Sequence, residues 1–501
     1  MIFNREPTPV FGFLTGGLNM QKRVCFRRKI LQLLRSSAVF LLIFAVAFAA
    51  PGCSLAGFTA GGAVSPASAV SRLPSSSGPA AVSSAQLTEP AVSSAAPGRA
   101  AGTDVRTVHR LSSSLSAGTL AQVQARPVAV PNAAGAAVQQ RSGYRSLASQ
   151  EERSLYSMIG DSVLRIATRK SAAGAYPTAR IVFPKMLSEA RLRVILSAYL
   201  NDNPQIFWLE NAYSYGYESG YTVLQLYSVL APDACAAAAR RLQDTVAAVV
   251  RAMPAGLGEF GREEYLFQYL VSHCTYDNAA VTDSSRWKAF TSYGALVEGL
   301  AVCEGYSRAM QMLAGYAGLN CSLVLGNSGG VGHMWNVIEI DGKWYHLDAT
   351  WCDEAVLIYN YFNVTDSVIS LTHSVGQPVS SLTDAQICSG NIPYNLFLPK
   401  CDSVEANYFR VRGISATSGD RAVEAALARE MKQKASSVAF YLPGSSNFDS
   451  QVQALVSAPS YKLYRWVEAA AKQSGGNPDP NSLVYVPDKA DRGITVHIGY
   501  R

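Results

Sequence analysis

Hydrophobic positions along the chain change their spacing several times, and each change marks an element. The spacing predicts helices over Ser149–Ser162 and Ser188–Leu200, the second stopped at Asn203-Pro204. Strand-like runs at Ile206–Leu209 and Tyr221–Tyr227 flank a Tyr- and Gly-rich connection and predict a hairpin, after which Pro232–Met253 reads as a long Ala-rich helix. Glu263–Val271 is again helical, and Tyr306, Met310, Leu313 and Tyr316 recur at helical spacing in a segment that opens near Cys303 and ends at Gly318. Alternation returns at His333–Ile340 and Lys343–Trp351, split by Asp341-Gly342, a strong type I′ turn signal. Beyond residue 371, a strand at Tyr408–Ile414, a helix at Asp420–Lys434, a strand at Ser437–Leu442, helices at Phe448–Val456 and Lys462–Ala471, and two strands ending at Tyr500 alternate in the βαβ manner. No internal repeat stands out.

The Asp341-Gly342 hairpin brings two chemistry-bearing residues together. With a two-residue loop, Ile340 pairs with Lys343, so Trp335 falls opposite Asp348 and His333 opposite Thr350. His333 and Asp348 are then diagonal neighbours on one face, with Cβ atoms roughly 7 Å apart, a gap that an imidazole and a carboxylate close with one hydrogen bond. A one-residue slip would put them on opposite faces. His346, opposite Val337, shares that face, but it and His273 read as structural. Taken singly, a strand His and a turn-proximal Asp are ordinary surface residues; the shared face is what makes them a pair.

A nucleophile is available at the start of the 303–318 helix. Cys303 sits in its first turn, where the positive end of the helix favours thiolate, and a nearby imidazolium favours it further. In that setting Asp348 would hold the ring and stabilise its charge. The plain alternative is an inert buried cysteine.

Charge alters the picture only at the N-terminus. Of the formal net charge of +7, +6 comes from Arg5, Lys22, Arg23, Arg27, Arg28, Lys29 and Arg35 against Glu6. The remaining body is nearly neutral and has no basic stripe, which excludes a nucleic-acid footprint. The basic cluster runs into the apolar stretch Ala38–Ala50, about thirteen residues and too short to span hydrocarbon, ending in Ala47-Phe48-Ala49: the layout of an export signal. Ala50-Pro51-Gly52-Cys53 resembles a bacterial lipoprotein box, with Pro51 departing from the usual pattern. Lipid anchoring at Cys53, plain secretion and an uncleaved anchor are the readings it permits. From Thr59 to Ala137, Ala, Ser, Pro, Gly and Val dominate without periodicity, as in a flexible tether. With Cys303 kept free, six cysteines remain beyond the leader region; they permit disulfides without fixing a pairing. No CxxC pair exists, which disfavours a structural zinc site.

Three blocks in order, Tyr293-Gly-Ala-Leu-Val-Glu-Gly-Leu-Ala-Val-Cys303-Glu-Gly-Tyr-Ser, Gly332-His333-Met-Trp-Asn-Val and Trp344-Tyr-His-Leu-Asp348-Ala-Thr-Trp, resemble the signatures of bacterial transglutaminase-like domains. The lead-in His273-Cys-Thr-Tyr276-Asp277 is similar too. The resemblance implies a papain-related α+β core, in which a helix headed by the cysteine packs on an antiparallel sheet carrying His and Asp. An N-terminal α/β region and a small C-terminal α/β module flank it. The expected layout is a signal sequence at 1–52, a disordered tether at 53–145, the N-terminal region at 146–255, the core at 256–370 and the C-terminal module at 371–501. The resemblance also implies a catalytic set of Cys303, His333 and Asp348. The expected reaction is acyl transfer from protein or peptide amides to an amine or water, with a cysteine protease or a non-catalytic surface module as alternatives. The backbone N–H of Cys303, with Tyr293 or Trp287, would serve the oxyanion, and Trp335 and Trp351 would shape the cleft. The calcium sites of the animal enzymes are not recognisable, so neither metal nor other cofactor is expected.

Overall fold

The computed structural model describes residues 125–128, 141–172, 174–479 and 482–501, with the backbone of three short strands at Ala69–Arg72, Ser84–Gln86 and Thr107–Arg110. The leader, Cys53 and most of the Ala/Ser/Pro-rich stretch lie outside the described residues.

The N-terminal helices form where the spacing predicts, as α1 (Gln150–Val163) and α2 (Glu189–Asp202). Ser149 and Ser188 cap them by accepting the N–H groups of Glu152 and Arg191. Ordered structure begins upstream of the expected boundary at 146. The helix Ser142–Ser146 is pinned because buried Asp202 accepts the N–H groups of Gly143 and Tyr144 at 2.8 and 2.7 Å. Ala125–Pro127 pairs with Arg165–Ala167, and the backbone of Ala69–Arg72 pairs with Val484–Asp488. Such pairings run through backbone N–H and C=O groups, which a composition without hydrophobic period does not announce.

β1 (Leu209–Glu218) and β2 (Tyr221–Ser228) make the expected hairpin, but Ile206–Trp208 is not a strand. A turn from Asn203 to Ile206 precedes it, and the Trp208 indole donates to the carbonyl of Val163 at 3.2 Å, which carries the segment into the core instead of along a sheet edge. α3 (Pro232–Arg251), with proline in its first turn, and α4 (Glu259–His273) follow.

α5 (Cys303–Tyr316) is buried along almost its whole length. One side meets the sheet; on the other, Arg308 and Gln311 donate to the carbonyls of Leu200 and Asn201 at the end of α2. The sheet comprises β3 (Cys321–Ser328), β4 (Val331–Ile340), β5 (Lys343–Leu347), β6 (Phe362–Val364) and β7 (His373–Val375), in the order β6-β5-β4-β3-β7 and antiparallel throughout. Asp341 and Gly342 adopt φ of 51° and 76°, as a type I′ turn requires. One hydrophobic core runs from Leu155 and Trp208 through Phe267, Met310 and Trp335 to Phe362 and Phe409, so the N-terminal region and the sheet share a single interior.

The C-terminal residues form a second, smaller core around Val423, Phe440, Trp466 and Val496. Tyr408–Arg412, expected as a strand, is the short helix α7. Asn407 caps it by accepting the N–H of Phe409, and the buried Phe409 anchors it. Ile414–Ser415 then pairs in parallel with β8 (Ser437–Tyr441), and β9 (Val484–Asp488) and β10 (Gly493–His497) complete that sheet. The module meets the main body where Tyr359 stacks on Tyr408 at 3.6 Å.

Candidate active site

Cys303 occupies the first position of α5, and that end of the helix is tied to the strand bearing His333. Ser307 Oγ lies 2.8 Å from the Cys303 carbonyl and 2.9 Å from the Met334 carbonyl, its hydroxyl hydrogen shared between them. Asn336 Nδ2 donates to the Ser307 carbonyl at 3.0 Å. Helix and strand are therefore fixed to each other by polar bonds in a region already buried.

The expected register holds from Ile340–Lys343 to Asn336–Leu347, with His346 opposite Val337, and then stops. Asp348 does not continue the ladder to face Trp335, and Thr350 does not pair with His333. Asp348 instead caps the short helix α6 (Ala349–Cys352), its Oδ1 accepting the N–H groups of Thr350 and Trp351 at 2.9 and 3.1 Å. The strand ends because the carboxylate takes these donors. Its other oxygen still reaches the histidine: His333 Nε2 donates to Asp348 Oδ2 at 2.6 Å.

Burial alone would depress the basicity of His333, but the charge and hydrogen bond of Asp348, then the contact with Cys303, push it up to about 10. Asp348 resists burial in the opposite sense and is held well below the usual carboxylate range by His333 and His373. At neutral pH the arrangement is therefore a buried imidazolium between a carboxylate and a sulfur.

His373, at the head of β7, is the member that spacing arguments missed. Its Nε2 lies 3.1 Å from the same Asp348 Oδ2. It comes from the far edge of the sheet, and nothing near it in sequence marks it. Trp335 is fully buried, so it lies under the site and does not line a cleft. Its ring runs nearly parallel to that of His333, centroids 5.8 Å apart, while Trp351 meets His333 edge-on at 6.3 Å. Gly326, paired with His333, leaves room for that indole, since a Cβ there would overlap the Trp335 ring and the Ser374 carbonyl.

Of the residues expected to assist, Tyr293 is buried and stacked on Phe207 at 4.8 Å, which places its ring in the core. Trp287 packs at the edge of the main core. His273 bonds the Leu296 carbonyl at 2.9 Å and stacks on Tyr269. The half-buried Tyr276 is placed by the pairing of its backbone with Ala301. Burial, then the nearby Cys303 and Asp348, push its hydroxyl well above the ordinary value. Among the described residues no cysteine forms a disulfide.

A cysteine at a helix start, facing a histidine on an antiparallel sheet and an aspartate one residue past the neighbouring strand, defines a thiol site of the papain-related kind. Residues 247–349 match the model of the transglutaminase-like superfamily, and the chain carries a core of that superfamily. Over 102 residues, 18% of this chain, it is 28% identical to the human and mouse proteins named kyphoscoliosis peptidase. The matched segment spans only 15% of the length of those relatives. A solved structure described as a TGase is 20% identical, with 34% of this chain and 50% of that chain covered and a TM-score of 0.21.

Proposed function

We propose that this chain is an exported thiol enzyme that takes an acyl group from a protein or peptide amide onto Cys303 and passes it to an amine or to water. The observation that carries the reading is the placement of His333 between Cys303 and a carboxylate anchored through both oxygens. Cys303 Sγ, its proton transferred to His333, attacks the amide carbon. The C–N bond then breaks as His333 returns that proton to the leaving amine, leaving a thioester. An incoming amine or water, deprotonated by His333, attacks the thioester and releases the thiol. The Cys303 N–H, at the first position of α5 where the helix itself offers no acceptor, is the donor best placed for the oxyanion.

Hydrolysis of peptide bonds by the same three residues is the second reading, favoured by the name of the mammalian relatives. The basic-then-apolar leader and Cys53 support delivery across a membrane and a lipid anchor, with the Ala/Ser/Pro-rich stretch as spacer.

Two measurements test the chemistry. Iodoacetamide at pH 6, followed by intact mass, should alkylate Cys303 well ahead of glutathione; equal rates would remove the activated pair. Incubation with a labelled primary amine and cell-surface proteins should label acceptors in native protein and not in Cys303→Ala. New protein termini without amine incorporation would favour the peptidase reading.

A further inference from the structure

Asp348 serves two histidines. Its Oδ1 takes two backbone N–H groups and its Oδ2 takes His333 at 2.6 Å and His373 at 3.1 Å, which fills the roughly four acceptor positions of a carboxylate. His373 is only 4% exposed. Its ring sits among Trp351, Trp335 and Tyr361, with centroids at 4.9, 5.1 and 5.5 Å, and its Nδ1 lies 2.8 Å from Thr372 Oγ1. The ionisable groups around it are His333, Asp348, His346 and Tyr361.

Two imidazolium rings with centroids 5.3 Å apart would repel strongly in a buried site. The surroundings separate their roles. Burial lowers the basicity of His373 despite Asp348, whereas Asp348 and Cys303 raise that of His333. His373 is thus the neutral tautomer, with its proton on Nε2 given to Asp348 and its Nδ1 accepting from the Thr372 hydroxyl.

We propose that His373 is a positioning residue of this site: a neutral second donor that fixes Asp348 Oδ2 and tempers its pull on the His333 proton, leaving that proton transferable to the leaving amine. The role rests on the acyl-transfer reading of Cys303 and His333. A lone donor on Oδ2 would share its proton more fully with the carboxylate and give it up less readily; a second donor divides that oxygen's basicity.

The test needs no substrate. The rate of Cys303 alkylation by iodoacetamide is measured against pH in native protein, His373→Phe, which keeps a ring but loses the donor, and His373→Gln, which keeps an N–H donor without a titrating ring. The upper transition, where His333 loses its proton, should move up by roughly one pH unit in His373→Phe, the size expected for one hydrogen bond to a charged group, and return toward native in His373→Gln. Lowered melting temperatures with an unmoved transition in both variants would reduce His373 to a packing residue and overturn the proposal. In the native protein, ¹⁵N shifts should show His373 protonated on Nε2 and uncharged at pH 7; a His373 that is charged there would overturn it without any variant. A native Cys303 no faster than glutathione at pH 6 would overturn the acyl-transfer reading itself, whereas fast native alkylation with an unmoved transition would overturn the role of His373 alone.

Discussion

The Trp335 indole donates its Nε1–H to Nδ1 of His346 at 3.0 Å. An indole nitrogen can only donate, so Nδ1 carries a lone pair and the His346 proton sits on Nε2, where it meets Asp366 Oδ1 at 2.9 Å. Asp366 in turn accepts the N–H of Cys401 at 3.1 Å, and a half-exposed carboxylate is thereby connected through two rings to the plane beneath His333.

The tautomer of His346 carries a prediction about metals. His346, Asp366 and Cys401 present nitrogen, oxygen and sulfur close enough together to suggest a zinc-type site. A metal on Nε2 would require that nitrogen to lose its proton while Nδ1 keeps the Trp335 bond, leaving an anionic ring. Calorimetric titration with zinc at neutral pH should show no tight binding there, and a chelator should leave Cys303 alkylation unchanged. A stoichiometric zinc site lost in Cys401→Ser would contradict this.

Replacing His346 with Phe removes the acceptor of the buried Trp335 indole N–H. An unsatisfied buried donor costs about 1–3 kcal/mol. The melting temperature should fall by several degrees, and the fluorescence of Trp335 should change; an unchanged thermal midpoint would show that the bond contributes little.

Gly326→Ala tests the space under the histidine. A methyl group at Gly326 meets the Trp335 ring and the Ser374 carbonyl, so either the indole or the β7 edge must shift. Loss of about 1–3 kcal/mol of stability, as for an overpacked core, together with slower Cys303 alkylation, is expected. Stability lost with full thiol reactivity would mean that β7 moves and Trp335 stays.

Asp348→Asn should separate capping from charge. The amide oxygen can still accept from Thr350 and Trp351, so folding should be largely kept. The anion facing His333 is gone, and turnover should drop on the order of 10³–10⁴-fold, as in other triads where the carboxylate is neutralised. A variant within tenfold of native would show that Asp348 matters mainly as a cap.

The β9–β10 hairpin sets a pH dependence of stability. Asp488 and Asp491 are both buried, joined by the Asp491 N–H to Asp488 Oδ1 at 3.1 Å, and among the described residues one oxygen of each has no hydrogen-bond partner. Burial, and for Asp488 the adjacent Asp491 charge, hold both carboxyls above their ordinary range. A carboxyl whose affinity for protons is raised by folding favours the folded state as pH falls through that raised value toward about 4, and disfavours it as pH rises. Asp488→Asn should therefore raise the melting temperature at pH 8–9 and change it little near pH 4. An equal effect at both pH values would rule out titration as the cause.

The type I′ turn made part of the site legible, because Asp341-Gly342 fixes the register as far as Asn336–Leu347 and so brings the chain back to Asp348 beside the strand of His333. Helical spacing likewise placed Cys303 at the head of α5. Where the reading failed, hydrogen bonds by polar side chains outweighed pattern: Asp348 ended its strand to cap α6, and Asn407 turned an expected strand into α7. His373 was invisible for a different reason. Its partnership with Asp348 depends on β7 closing the far edge of the sheet beside β3, a pairing across more than forty residues of chain that no local period encodes.

The shared core has a practical consequence for anyone trimming the chain. The family match ends at residue 349, one position after Asp348, whereas β6, Tyr361 and His373 lie beyond it, and the floor beneath α5 is supplied by α2 far upstream. A fragment cut to the recognisable segment would keep Cys303, His333 and Asp348 yet expose the α5 face that meets α2 and remove the second donor from Asp348. The smallest autonomous piece is set by these supports and extends well past the motif at both ends.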